Sequence, residues 1–99
     1  MKVGAHVSTA GGLDKAIDRA AELGAEAIQI FVSSPRSWAF KPIPQAMVLT
    51  FREKAARAGI GPIFFHGIYL VSLGAPTEEN LAKSVQALTD YMQAAGELG

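Results

Sequence analysis

Three short runs of apolar residues, at 3–7, 27–32 and 62–66, are each followed by a stretch whose apolar residues return every third or fourth position. This alternation constrains the fold more than any other property of the chain. Strands separated by a helix cannot pair as hairpins. The helical crossover returns the chain to the same end of the sheet, so successive strands run parallel. The carboxyl ends of all the strands then share one edge, where α/β enzymes place their chemistry. Here each run leads into a polar turn with one reactive side chain: His6, Arg36 and His66 in order.

The helices follow from the same reading. Gly11 and Gly12 close the first turn, and Leu13, Ala16, Ile17, Ala20 and Ala21 then recur on one helical face before Gly24 stops it, giving a helix over 12–23. The second run is nearly continuous and β-branched, as expected for a strand covered on both faces. A loop containing Pro35, Pro42 and Pro44 leads to a second helix over 45–58, with Val48, Phe51, Ala55 and Ala58 on one side and Gly59 as its stop. After the third run, Thr77 is a candidate cap, and Glu78 and Glu79 suit the positive end of a helix. That helix, over 77–95, carries a stripe of Leu81, Val85, Leu88, Met92 and Ala95. The order βαβαβα fits either a doubly wound sheet or a barrel, and it reads as part of a larger fold.

Charge narrows the function only locally. Nine basic residues balance nine acidic ones, so net charge gives no reason to infer nucleic acid, membrane or acidic ligands. Between Gln29 and Phe51, however, the only charged residues are Arg36 and Lys41, so the loop after the second strand is cationic. Cysteine is absent, which excludes disulfides and thiolate metal sites and leaves nitrogen and oxygen ligands for any metal. His6 and Ser8 break the first apolar run too early for a secretory segment, and a cytoplasmic location is the expectation.

At the turns the resemblance becomes specific. Gly4-Ala5-His6-Val7-Ser8, Gly11-Gly12-Leu13, Ser34-Pro35-Arg36-Ser37-Trp38 and His66-Gly67-Ile68-Tyr69-Leu70, in this order and spacing, resemble the endonuclease IV family of apurinic/apyrimidinic endonucleases. The resemblance covers essentially the whole chain but only the amino-terminal third of a family member. It implies a (β/α)8 barrel with a cluster of three zinc ions, of which residues 1–99 supply about the first three βα units and at most part of the metal site.

The resemblance also assigns roles. His66 matches the family's first zinc-binding histidine. Its place at the mouth of a strand suits a rigidly held ligand, although an isolated strand-end histidine is more often a hydrogen-bonded structural residue. His6, on the same edge, falls beside the metal cluster without being one of its ligands, where it could donate to a ligand or a phosphate, or be a buried ring satisfied by backbone. Arg36, Tyr69 and Leu70 match positions that enter abasic double-stranded DNA from the minor groove and wedge its base stack. Trp38 reads as a loop anchor. The implied reaction is hydrolysis of the phosphodiester 5′ to an abasic site, zinc activating water and neutralising charge.

One position departs from the family pattern: Ser72 stands where an asparagine is usual, so the third loop is either held differently or altered in substrate use. With two histidines, no cysteine and no carboxylate in the strand-exit loops, the ligand set is incomplete, and these residues alone are not expected to cleave DNA. Two other readings share the pattern. One is a sugar isomerase or epimerase of the xylose-isomerase-like barrels. The other is a noncatalytic barrel fragment that self-associates through open sheet edges.

Overall fold

A computed structural model describes all 99 residues. The elements are β1 (Gly4–His6), α1 (Leu13–Leu23), β2 (Ala27–Ile30), α2 (Gln45–Ala58), β3 (Ile63–Phe65) and α3 (Glu78–Leu98). The strands form one parallel sheet in the order β1-β2-β3. They are shorter than the apolar runs, but the ladder extends past them. The Val7 amide donates to the Gln29 carbonyl at 3.0 Å, and the His66 amide to the Ile30 carbonyl at 2.9 Å.

Register explains how the sheet is covered. Alternate residues of a strand face opposite sides. On one side, Val7, Ile28 and Ile30 join Ala16, Ile17 and Ala20 of α1 and Val48, Phe51 and Ala55 of α2 in a single core, completed by Ile60 and Leu98. Helices on one face over consecutively ordered strands define the winding of a barrel and exclude a doubly wound sheet.

The other side is open. Gln29 is only half-buried and Phe64 is 56% exposed, so β2 is not covered on both faces as its apolar run suggested. In a closed barrel this face becomes the interior.

Local chemistry fixes the joints. Gly24 and Gly59 end α1 and α2 in left-handed conformations, φ 77° and 67°, with their amides bonded back to the last turn. At Gly4 the reason is close approach: a Cβ there would lie 2.7 Å from the Ala27 carbonyl oxygen of β2. The side chain of Thr77 caps α3 by accepting from the Asn80 amide at 3.2 Å.

The third helix departs from expectation in two respects. It runs on to Leu98, because that side chain is buried in the main core and carries the helix through Gly96. Its buried stripe is Ser84, Ala87, Tyr91, Ala94 and Leu98, whereas Leu81, Val85 and Met92 of the expected stripe are exposed. Small residues and one tyrosine face inward because the loops after β2 and β3 lie between α3 and the sheet. Ile68, Ala87 and Tyr91 form a second small core there, packed by Val32, Trp38, Phe40, Phe65 and Val71.

Between α1 and α2, Lys54 bridges Asp14 at 2.9 Å and Asp18 at 3.0 Å. The hydrogen bond from Lys54, with its positive charge, holds the Asp14 carboxyl below its ordinary value against the opposing effect of burial. Hydrogen bonds to Asp14 and Asp18 raise the Lys54 ammonium correspondingly.

Candidate functional site

The carboxyl edge of the sheet gathers three rings on the open face. The centroids of His6 and Phe31 lie 5.0 Å apart, Phe31 and His66 4.8 Å, and His6 and His66 6.0 Å. Tyr69 meets this group edge-on, 5.6 Å from Phe31 and 6.3 Å from His66. Both histidines are exposed, so neither is a sealed core residue.

Each ring is oriented by a different partner. The Nδ1 of His66 lies 2.6 Å from the carbonyl oxygen of Gly67. A carbonyl can only accept, so Nδ1 carries the proton and the neutral ring leaves its Nε2 lone pair free, the form in which imidazole binds metal. His6 has no backbone partner. Its Nδ1 faces the side-chain amide nitrogen of Gln29 at 3.0 Å, across the β1–β2 pair in which the two residues are direct partners.

The loops above this edge are tied to each other and to α3. The Tyr69 amide donates to the Pro35 carbonyl at 2.8 Å, joining the third-strand loop to the turn that bears Arg36. Ser33 and Tyr91 share a hydroxyl hydrogen bond of 2.6 Å, and the Ser72 amide donates to the Ser84 hydroxyl at 2.9 Å. Trp38 packs half-buried on the small core under α3 and anchors its loop, as expected. Ser72 thus fastens its loop through its backbone, using a buried serine of the helix behind it.

With the loop stems fixed, their tips stand free. Tyr69 is 63% and Leu70 40% exposed, and Arg36 is exposed on the adjacent turn. The ion pairs of the molecule all lie on helices, involving Lys54, Arg57 and Lys83, and this leaves Arg36 and Lys41 unpaired in the second loop. A groove between the first two loops, lined by His6, Ser8, Thr9, Phe31, Ser33 and Ser34, runs beside them.

A zinc ion fits these donors in kind but not in number. His66 presents one prepared imidazole nitrogen, while no group of three or more His, Cys, Asp or Glu residues comes together in the chain. One polar residue escaped the reading of the sequence. Gln29 is the only polar side chain within the apolar run 27–32, and that interruption was the available signal.

A singly wound parallel arc whose open face and carboxyl edge hold its polar rings is the opening of a (β/α)8 barrel. Comparison with known proteins agrees. A family model described as a xylose isomerase-like TIM barrel matches residues 17–99. A protein named "Probable endonuclease 4" from Methanosphaerula palustris is 40% identical over 92 residues, which are 93% of this chain and 32% of that protein. One of the same name from Halorhodospira halophila is 40% identical over 98 residues, 99% of this chain and 33% of that protein. The crystal structure of endonuclease IV from Thermus thermophilus superposes with a TM-score of 0.94 at 40% identity, covering 100% of this chain and 37% of that one. The chain belongs to the xylose isomerase-like TIM-barrel family, and within it resembles the amino-terminal third of endonuclease IV. It spans about a third of the length of the curated relatives it matches.

Proposed function

We propose that residues 1–99 are the amino-terminal portion of a single barrel domain of a cytoplasmic, zinc-dependent DNA repair endonuclease. Its reaction is hydrolysis of the phosphodiester 5′ to an abasic site in double-stranded DNA. The observation that carries this reading is the His66 ring, held by Gly67 with its Nε2 lone pair free on the open carboxyl edge. The names and likeness of the relatives support the nuclease class.

In this reading His66 holds one zinc ion through Nε2, and the remaining ligands come from strands beyond the three present here. When bound, zinc supplies Lewis acidity for attack of water on a phosphodiester. The chain's own residues supply the grip on DNA. Arg36 places an unpaired guanidinium against the phosphates lining the minor groove, and Tyr69 and Leu70 wedge the base step. A missing base lowers the unstacking cost, so selection is for damage and shape, without base-edge contacts.

The exposed faces support the barrel. Phe64 on the inner side of the sheet and Leu81, Val85 and Met92 on α3 are apolar surfaces that further βα units would cover. Alone, the 99-residue chain presents them to a second copy, and self-association is expected.

The test is a chimera in which residues 1–99 replace the matching segment of the Thermus thermophilus enzyme. It is expected to cleave an abasic duplex, to lose zinc by elemental analysis on His66→Ala, and to bind abasic duplex more weakly on Arg36→Ala. A folded His66→Ala chimera with full zinc content and activity would refute the assignment. DNA binding unmoved by Arg36→Ala would point instead to a sugar isomerase. The 99-residue chain with zinc and abasic duplex is expected to give no cleavage.

A further inference from the structure

Two imidazoles share one edge of this sheet, and their partners dictate opposite proton positions. Opposite His66, whose Nδ1 is obliged to donate to a carbonyl, the Nδ1 of His6 meets an amide nitrogen. An amide nitrogen has hydrogens to give and no lone pair to offer, so Nδ1 of His6 must accept, and the neutral ring carries its proton on Nε2. In that tautomer Nε2 is a donor and has no free lone pair for a cation.

Gln29 is placed to enforce this. It lies on the central strand, paired directly with His6 of β1 on one side and with Phe64 of β3 on the other, so its amide has a fixed base in the sheet. Its occurrence as the one polar residue in an otherwise apolar run has no explanation in packing, since Ile28 and Ile30 supply the buried face.

We propose that Gln29 is a positioning residue that locks His6 as an Nε2–H donor, keeping it out of metal coordination and available to an anionic oxygen such as that of a phosphodiester. The class of anion rests on the proposed function, whereas the proton position does not. Ring centroids 6.0 Å apart would otherwise allow both histidines to grip one ion, so the tautomer decides whether this edge offers one metal ligand or two.

The proton positions can be read directly. Long-range proton–nitrogen NMR of the 99-residue chain, at a pH about two units above the ordinary imidazole value of about 6.5, distinguishes the tautomers. His6 is expected as Nε2–H and His66 as Nδ1–H. Gln29→Glu substitutes a carboxylate, which only accepts, and should invert His6 to Nδ1–H. Zinc added to the parent chain should then move the signals of His66 alone, and added to Gln29→Glu should move both rings with roughly tenfold tighter binding. An Nδ1–H ring at His6 in the parent chain, or a tautomer unmoved by Gln29→Glu, would overturn the inference. In the chimera, a zinc content unmoved by His66→Ala, with both tautomers as stated, would instead sink the proposed function and leave Gln29's role standing.

Discussion

Ser84→Ala probes how the third-strand loop is held. Ser84 is fully buried, and its hydroxyl accepts the Ser72 amide at 2.9 Å, fastening the segment that carries Tyr69 and Leu70 to α3. Alanine removes the acceptor, and because Ser72 is exposed water can take its place, so the loss is that of an ordinary hydrogen bond, about 1 kcal/mol. Alanine also favours a helix interior by about 0.5 kcal/mol over serine, which offsets part of this loss. The net cost is therefore about 0.5 kcal/mol, and for a domain of this size the melting temperature should fall by about 2–4 °C. The local effect is larger, because the helix gain does nothing for the loop. A loss of about 1 kcal/mol there raises the open population roughly 5-fold. Amide hydrogen exchange is the assay: protection should drop at Ser72 and its loop neighbours while the amides of β2 and α2 change only by the global amount. An exchange rate at Ser72 unchanged from that of the parent chain would show that the loop is held by something other than this hydrogen bond.

The ion pair between α1 and α2 sets a pH limb. Asp14 is depressed below its ordinary 3.8, so its contribution is fully present above that pH and is lost as the pH falls through the lower folded value. Asp14→Asn should flatten the acid side of a plot of urea midpoint against pH, and an unaltered acid limb would refute the coupling. Lys54 is raised above its ordinary 10.5, so its share persists below that value and disappears only on stronger alkalinity, which Lys54→Met should abolish in the same titration. Gly4→Ala would drive a methyl group to 2.7 Å from the Ala27 carbonyl, and the strain should cost roughly 1–3 kcal/mol in urea unfolding, with β1 amides losing protection first.

The placement of His6, Arg36 and His66 at the carboxyl edge of the sheet is legible because strand-exit position follows from order along the chain: an apolar run that ends in a polar turn marks that edge before any coordinates exist, whereas Tyr69 and Leu70 stand out only through the family resemblance. Helix stops at Gly24 and Gly59 were legible for a similar reason, since a left-handed residue at a helix end favours glycine. Gln29 was not singled out, because its meaning depends on which residue of another strand lies opposite, and a single run does not reveal register. The stripe of α3 was misread because hydrophobicity alone favoured Leu81, Val85 and Met92. Those side chains face away from the present core, and the helix turns smaller residues toward the intervening loops.

The sequence by itself determined the alternation of strand and helix, hence parallel pairing and the edge on which chemistry collects, because these depend on periodicity and connection length. Only the tertiary structure decided that all helices cover one face, that the opposite face stands open, and that the Gln29 amide lies against the ring of His6. Those outcomes depend on contacts between residues far apart in the chain, such as His6 with Gln29 and Ser72 with Ser84, and no local pattern encodes them.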